Sequence, residues 1–273
     1  MEKIDLPMKP ADKIAKKDTE AFEMTKWPFL DPHRIIEFLY NKCKIEIPKE
    51  DVKQYWELSR RNREPWATAS EATSSHVPLG IYGDTAAIVM KYGAKESITA
   101  IFLNLVLWRP RSVRMSRFLV CALPDDRMHS HHTLNEILRR ACWSLNSLYD
   151  NKHPVVGVGG SQLPPHLQKL AGGSITRVGA CFTVTEIRGD WQWLKKIFRF
   201  PGWNAHEMCH HCPARSEGNH ALRYYNFDDA SWIQSPFSTV EFLSKALPAT
   251  GVCTLIAVLK AYFEVFVLEV VYV

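Results

Sequence analysis

The feature that constrains the fold most is the order of strand-like and helix-like segments in the middle of the chain. Three short runs rich in apolar and β-branched residues come first, and an amphipathic helix follows them. A fourth, alternating run and a short amphipathic helix complete the series. These segments are residues 78–84, 97–108, 117–123, 133–149, 182–187 and 191–198. The order predicts an α/β domain with a mixed sheet flanked by helices.

The dipeptide Gly-Asp ends the first strand-like run, with Asp84, and closely follows the fourth, with Asp190. Two carboxylates at adjacent strand ends can bridge two Mg²⁺ ions roughly 3.5–4 Å apart, which activate water and stabilise the leaving oxygen in phosphodiester transfer. The order of strands with these acids resembles a ribonuclease H-like nuclease or transposase core. Aspartate after glycine is also common in turns, where it hydrogen-bonds its own backbone. The residues alone leave both interpretations open.

A Cys-x-x-Cys pair follows the second aspartate. Cys209 and Cys212 have the spacing with which two thiolates bind Zn²⁺, and His206 and His220 lie near enough in sequence to complete a tetrahedral site. A redox pair, or a pair with no special role, is the alternative. The remaining cysteines are scattered singly, which favours a reducing compartment over a disulfide framework.

Together these motifs resemble a known group of DNA transposases. The string HVPLGIYGDTA, then Gly189-Asp190-Trp191, then CHHCPA, is similar to the transposase domain of the Kyakuja-Dileera-Zisupton and Plavaka group, and to transposon-derived proteins abundant in dinoflagellate genomes. The resemblance spans roughly residues 77–232. It implies a ribonuclease H-like DDE core, with Mg²⁺ or Mn²⁺ held by Asp84 and Asp190. The implied activity is divalent-metal-dependent cleavage and transfer of DNA strands.

The resemblance is incomplete at the third acid of the DDE triad. Transposases of this group carry that acid on a late helix, whereas the late carboxylates here, Glu264 and Glu269, sit in the apolar segment 251–273. No catalytic role is assigned to either. The segment suits a terminal helix or strand packed on the core, or a truncated end, and its three charged residues argue against a membrane span.

Three functions therefore compete. The first is an active, metal-dependent transposase, and the second is its degenerate, DNA-binding remnant. The third is a non-catalytic, zinc-stabilised module that binds DNA or protein, in which both aspartates are turn residues. Convergence of the two aspartates on one cleft is required only by the active transposase.

The rest of the chain is predicted to divide into further segments. Residues 1–30 have the composition of a flexible arm, and residues 31–70 form a helical amino-terminal segment whose helices begin after Asp31 and Pro48. The core with its Cys-x-x-Cys insertion takes residues 77–250. The turn between the second and third strands carries four arginines that are candidates for phosphate contact, with a solvated loop as the alternative. These are Arg109, Arg111, Arg114 and Arg117.

Charge and composition bear on the partners. The formal net charge is +5, from 34 basic and 29 acidic residues, which mildly favours an anionic partner such as DNA. The amino-terminal sequence has no apolar stretch of signal-peptide length, so a nuclear or cytoplasmic protein is expected and a secreted one is not. A membrane partner is not expected, and a homo-oligomer is compatible with the sequence.

Overall fold

The structure is a computed structural model of the chain. It describes residues 2–10, 22–62, 67, 75–89, 95–198, 206, 212–215, 217–218, 221, 235 and 237. Its strands are β1 (Glu2–Met8), β2 (Glu23–Phe29), β3 (His76–Val89), β4 (Lys95–Leu105), β5 (Arg117–Pro124) and β6 (Cys181–Gly189). Its α-helices, within the same residues, are α1 (Pro32–Asn41), α2 (Lys49–Arg61), α3 (Ser130–Tyr149), α4 (Pro165–Gln168) and α5 (Trp191–Phe198).

The larger sheet of the described residues has four strands in the order β5, β4, β3, β6. β4 pairs antiparallel with both β3 and β5, whereas β6 pairs parallel with β3. Consequently β3, β5 and β6 point the same way, and their carboxyl ends lie at one end of the sheet. The prediction of an α/β fold with a mixed sheet flanked by helices is confirmed.

One face of the sheet is apolar and carries the helices. Val77, Leu79 and Ile81 alternate along β3 and are buried, and their register partners in β6 are apolar as well. Since alternate residues of a strand share a face, these side chains form one layer, which contacts α3 and α5. Each fully buried aliphatic side chain contributes about 1.5–3 kcal/mol, so this layer is a main source of stability.

Helix α3 lies where the helical spacing of apolar residues predicts it. It begins at Ser130, slightly before the predicted start, and ends at Tyr149 as expected. Thr133, the first residue of the predicted helix, is buried inside the first turn, where its hydroxyl donates to the carbonyl oxygen of Pro7. The apolar face expected of an amphipathic helix is buried along its whole length: Leu134, Ile137, Leu138, Ala141, Leu145 and Leu148.

Within residues 1–30, predicted to be a flexible arm, the described part forms two strands. β1 and β2 pair antiparallel as a separate two-stranded sheet. Leu6, Met8 and Phe29 are completely or almost completely buried, so the hairpin is anchored by the hydrophobic core. The indole N–H of Trp27 also donates to the carbonyl oxygen of Ala122 at 2.8 Å, which fixes β2 beside β5.

Two helices, α1 and α2, follow the hairpin and lie within residues 31–70, the segment predicted to be helical. α1 begins at Pro32 with Asp31 at the N-cap position, as the Asp-Pro pair predicts. The Asp31 side chain does not cap the helix. Its carboxylate instead accepts two hydrogen bonds from the guanidinium group of Arg140 in α3, each 2.7 Å long. Asp31 therefore joins two helices instead of stabilising the end of one.

The carboxyl-terminal segment 251–273, with Glu264 and Glu269, lies outside the described residues, so its predicted status stays a prediction. In the part of the chain that is described, no helix is both long enough and apolar enough to cross a membrane.

Candidate functional site

The two Gly-Asp dipeptides lie side by side, one at the carboxyl end of β6 and the other in the second half of β3, which continues past Asp84 to Val89. Gly83 and Gly189 are register partners across the parallel strands. Asp84 and Asp190 follow them, so the two aspartates start from equivalent positions on strands whose backbones are about 4.8 Å apart. The backbones of the two aspartates are thus neighbours. Because Gly83 faces Trp193 of α5, Asp84, one residue later on β3, lies on the opposite face of the sheet.

Glycine is required at both positions because an indole ring lies directly on the sheet. An added Cβ would lie 1.9 Å from Trp193 Cε2 at Gly83, and 2.1 Å from Trp193 Cδ1 at Gly189. Trp193 is completely buried in the first turn of α5. The ring thus packs α5 against the backbones of β3 and β6, and the glycines of the motif leave the space that this packing needs.

Asp84 is half-buried on β3, and it has a partner from its own strand. The Tyr82 hydroxyl lies 3.3 Å from Asp84 Oδ2 and donates to it. Arg117 of β5 stacks over the Tyr82 ring, with its guanidinium carbon 4.0 Å from the ring centroid. Burial, and then the neighbouring Asp84 carboxylate, raise the pKa of Tyr82, so the hydroxyl keeps its proton at neutral pH.

Asp190 is exposed and precedes α5. Its Oδ1 atom accepts a hydrogen bond from the backbone N–H of Trp193 at 2.7 Å, which is the geometry of a helix N-cap. A carboxylate at this end also interacts favourably with the helix dipole. Asp190 therefore has the structural role that the turn interpretation gives it, and its side chain is exposed.

A third acid at the same end of the sheet, Asp125, was not among the predicted site residues. It follows β5, and its Oδ2 atom forms an ion pair with Lys196 of α5 at 2.8 Å. Burial alone would raise the pKa of Asp125, but hydrogen bonds from Lys196, Thr99 and Ser97 outweigh burial and hold it below its usual value. The rule that selected Asp84 and Asp190, an acid at the carboxyl end of a strand, also fits this residue.

Lys196 connects Asp125 to the strands of the sheet. It also donates to the hydroxyls of Thr85 and Thr99, at 3.2 and 3.1 Å. Its ammonium group already supplies the positive charge beside Asp125, which makes that carboxylate a poor ligand for a metal ion.

The four arginines of the turn have different surroundings. Arg109 and Arg111 are exposed, so they are accessible to a phosphate. Arg117 is half-buried and stacks on Tyr82, so it is committed to the sheet. The side chain of Arg114 lies outside what the structure describes.

Half of the predicted zinc set, Cys209 and His220, lies outside the described residues. Of the other two, Cys212 is buried and His206 is exposed. Among the described side chains, no group of three His, Cys, Asp or Glu residues lies together as a metal site. The zinc site therefore stays a prediction.

Comparison with protein-family models finds no match, and comparison with curated proteins finds none either.

Proposed function

We propose that residues 76–198 form a ribonuclease H-like core, and that the protein is a transposon-derived DNA-processing protein that cleaves and transfers strands with a divalent metal. The strand arrangement supports this proposal. Three strands pair antiparallel in the order β5, β4, β3. A helix follows them, and a fourth strand then pairs parallel with β3, as such a core requires.

The observation that carries the proposal is the register of Gly83 with Gly189, which brings Asp84 and Asp190 to neighbouring positions. Carboxylate oxygens are the ligands that Mg²⁺ and Mn²⁺ prefer, so the chemistry of the pair suits these ions. The metal, when bound, would activate water for attack on a phosphodiester. Asp84 and Asp190 would hold it, with the remaining ligands coming from water, the DNA phosphate or residues outside the described part of the chain.

The exposed side chains of Arg109 and Arg111 can contact phosphates of a DNA partner, although their turn lies toward the end of the sheet opposite to the two aspartates. In the same proposal, a structural Zn²⁺ is held by Cys209, Cys212, His206 and His220. The protein acts in the nucleus or the cytoplasm.

A degenerate, DNA-binding remnant is the second candidate, and two observations favour it. Asp190 caps α5, and Lys196 neutralises Asp125, the further acid that follows a strand of this sheet. In a remnant, the phosphate contacts persist while the metal chemistry is lost.

Replacing Asp84 with asparagine tests the choice between the two. In a nicking assay on supercoiled plasmid with Mn²⁺, we expect the wild-type chain to cut, and Asp84→Asn to lower the rate on the order of 100-fold or more, because it removes a direct metal ligand. Asp5→Asn removes the same charge from an exposed position on β1 and should leave the rate unchanged.

A wild-type chain that binds DNA but does not nick it would reject the active enzyme in favour of the remnant. Equal rates for the wild-type chain and Asp84→Asn would show that the observed cutting does not come from this site.

A further inference from the structure

We propose that Tyr82 is a positioning residue for the metal ligand Asp84, and that Arg117 acts on Asp84 through Tyr82. This inference rests on the proposed function, because it concerns the same carboxylate pair. It gives Arg117 a role different from the phosphate contact that the sequence predicts.

Two successive contacts link β5 to the Asp84 carboxylate on β3. Arg117 lies on β5, its guanidinium group covers the ring of Tyr82 on β3, and the Tyr82 hydroxyl donates to Asp84 Oδ2 two residues along. Because residues two apart on a strand share a face, the hydroxyl and the carboxylate lie on the same side of β3. A donor at Oδ2 restricts rotation of the carboxylate, and a fixed carboxylate loses less entropy when it binds a cation.

The Tyr82 ring is itself held in place by its neighbours. Phe102 is its register partner on β4, with the ring centroids 6.1 Å apart, and Arg188 is its partner on β6. With Arg117 over its face, the ring has neighbours on both adjacent strands. The hydroxyl is therefore fixed relative to Asp84, as a positioning group must be.

Glu186 and Arg188 are the charged side chains of β6 nearest to Tyr82 in register. They form an ion pair with each other at 2.8 Å, so Arg188 already has a carboxylate partner on its own strand. The hydrogen bond from Tyr82 is the specific contact that the structure gives to the Asp84 carboxylate.

The test is the affinity of the full-length chain for Mn²⁺, measured by the loss of the free-ion signal in electron paramagnetic resonance. Tyr82→Phe keeps the ring under Arg117 and removes only the hydroxyl. We expect it to raise the Kd for Mn²⁺ about tenfold, which is typical for loss of a group that orients a metal ligand. Tyr55→Phe is the matched control, because it removes a hydroxyl that bonds Thr185 at 2.9 Å instead of Asp84.

Arg117→Met tests the second contact. We expect it to weaken Mn²⁺ binding about threefold in the wild-type background and to have no further effect when combined with Tyr82→Phe, because its influence passes through the hydroxyl. Arg177→Met, at an exposed position before β6, is the control for loss of a positive charge.

The outcomes separate the inference from the proposed function. If Asp84→Asn weakens Mn²⁺ binding while Tyr82→Phe binds like the wild-type chain, the positioning role is wrong and the metal site stands. If Asp84→Asn itself binds Mn²⁺ like the wild-type chain, the proposed metal site fails, and the positioning role fails with it. Additive effects of Tyr82→Phe and Arg117→Met would reject the coupling through Tyr82.

Discussion

Gly83→Ala is expected to destabilise the protein by about 3 kcal/mol or more, at the upper end of the cost of overpacking a core. The new Cβ would lie 1.9 Å from Trp193 Cε2, a separation that no real contact tolerates. Trp193 is completely buried in a close-packed interior, so α5 must shift away from the strand ends. The free energy of unfolding, measured by chemical denaturation, checks this expectation.

Gly80→Ala is the matched control on the same strand. Its Cβ would meet Glu186 Oε2 at 3.4 Å, an ordinary contact, so the expected change is below about 1 kcal/mol. Combining Gly83→Ala with Trp193→Leu should cost less than the sum of the two single changes, because the smaller side chain relieves the clash. Strictly additive costs would show that Trp193 does not lie on Gly83.

Arg140→Met is expected to cost about 3–5 kcal/mol, the usual penalty for removing one partner of a buried ion pair. Arg140 binds Asp31, which is only 2% exposed, and also Glu2 of β1. Burial raises the pKa of the Asp31 carboxyl even with Arg140 beside it, which shows how unfavourable that environment is for an unpaired charge. The change would also loosen the hairpin, since Glu2 loses this contact. Thermal unfolding of the full-length chain measures the effect.

The neighbouring Arg139 provides the control for Arg140. It pairs with Glu136 one turn away on the exposed side of α3, so Arg139→Met should cost less than about 0.5 kcal/mol. Adding Asp31→Asn to Arg140→Met should recover part of the loss, because it removes the uncompensated charge. A cost for Arg140→Met as small as that for Arg139→Met would contradict the assignment of a buried network.

The order of the core elements could be predicted because their periodicity is local. The apolar stripe of α3 and the strand-like runs of the sheet depend on residues a few positions apart. The hairpin of β1 and β2 could not be predicted, because Pro7 and Pro28 lie within its strands. Residues 2–8 also mix charged and apolar side chains, as the residues of a solvated arm do. Only the core, which buries Leu6 and Met8, makes this segment ordered.

In the candidate site, too, residues marked by a local sequence pattern could be predicted, whereas contacts between distant segments could not. Asp84 and Asp190 could be found because each follows a glycine beside a strand-like run, although β3 continues past Asp84 to Val89. The stacking of Arg117 on Tyr82 and the pairing of Asp125 with Lys196 depend on strand register and on where α5 packs, which no local pattern specifies. Asp31 occupies the predicted N-cap position, yet its partner Arg140 lies 109 residues away in the chain.

The central claim, that Asp84 and Asp190 share a divalent metal, is tested most directly by anomalous diffraction from crystals of the protein soaked in MnCl₂. We predict an anomalous peak in contact with a carboxylate oxygen of each aspartate. Mn²⁺ bound only away from these two side chains would contradict the metal-dependent mechanism. So would a structure in which the two carboxylates point to opposite faces of the sheet.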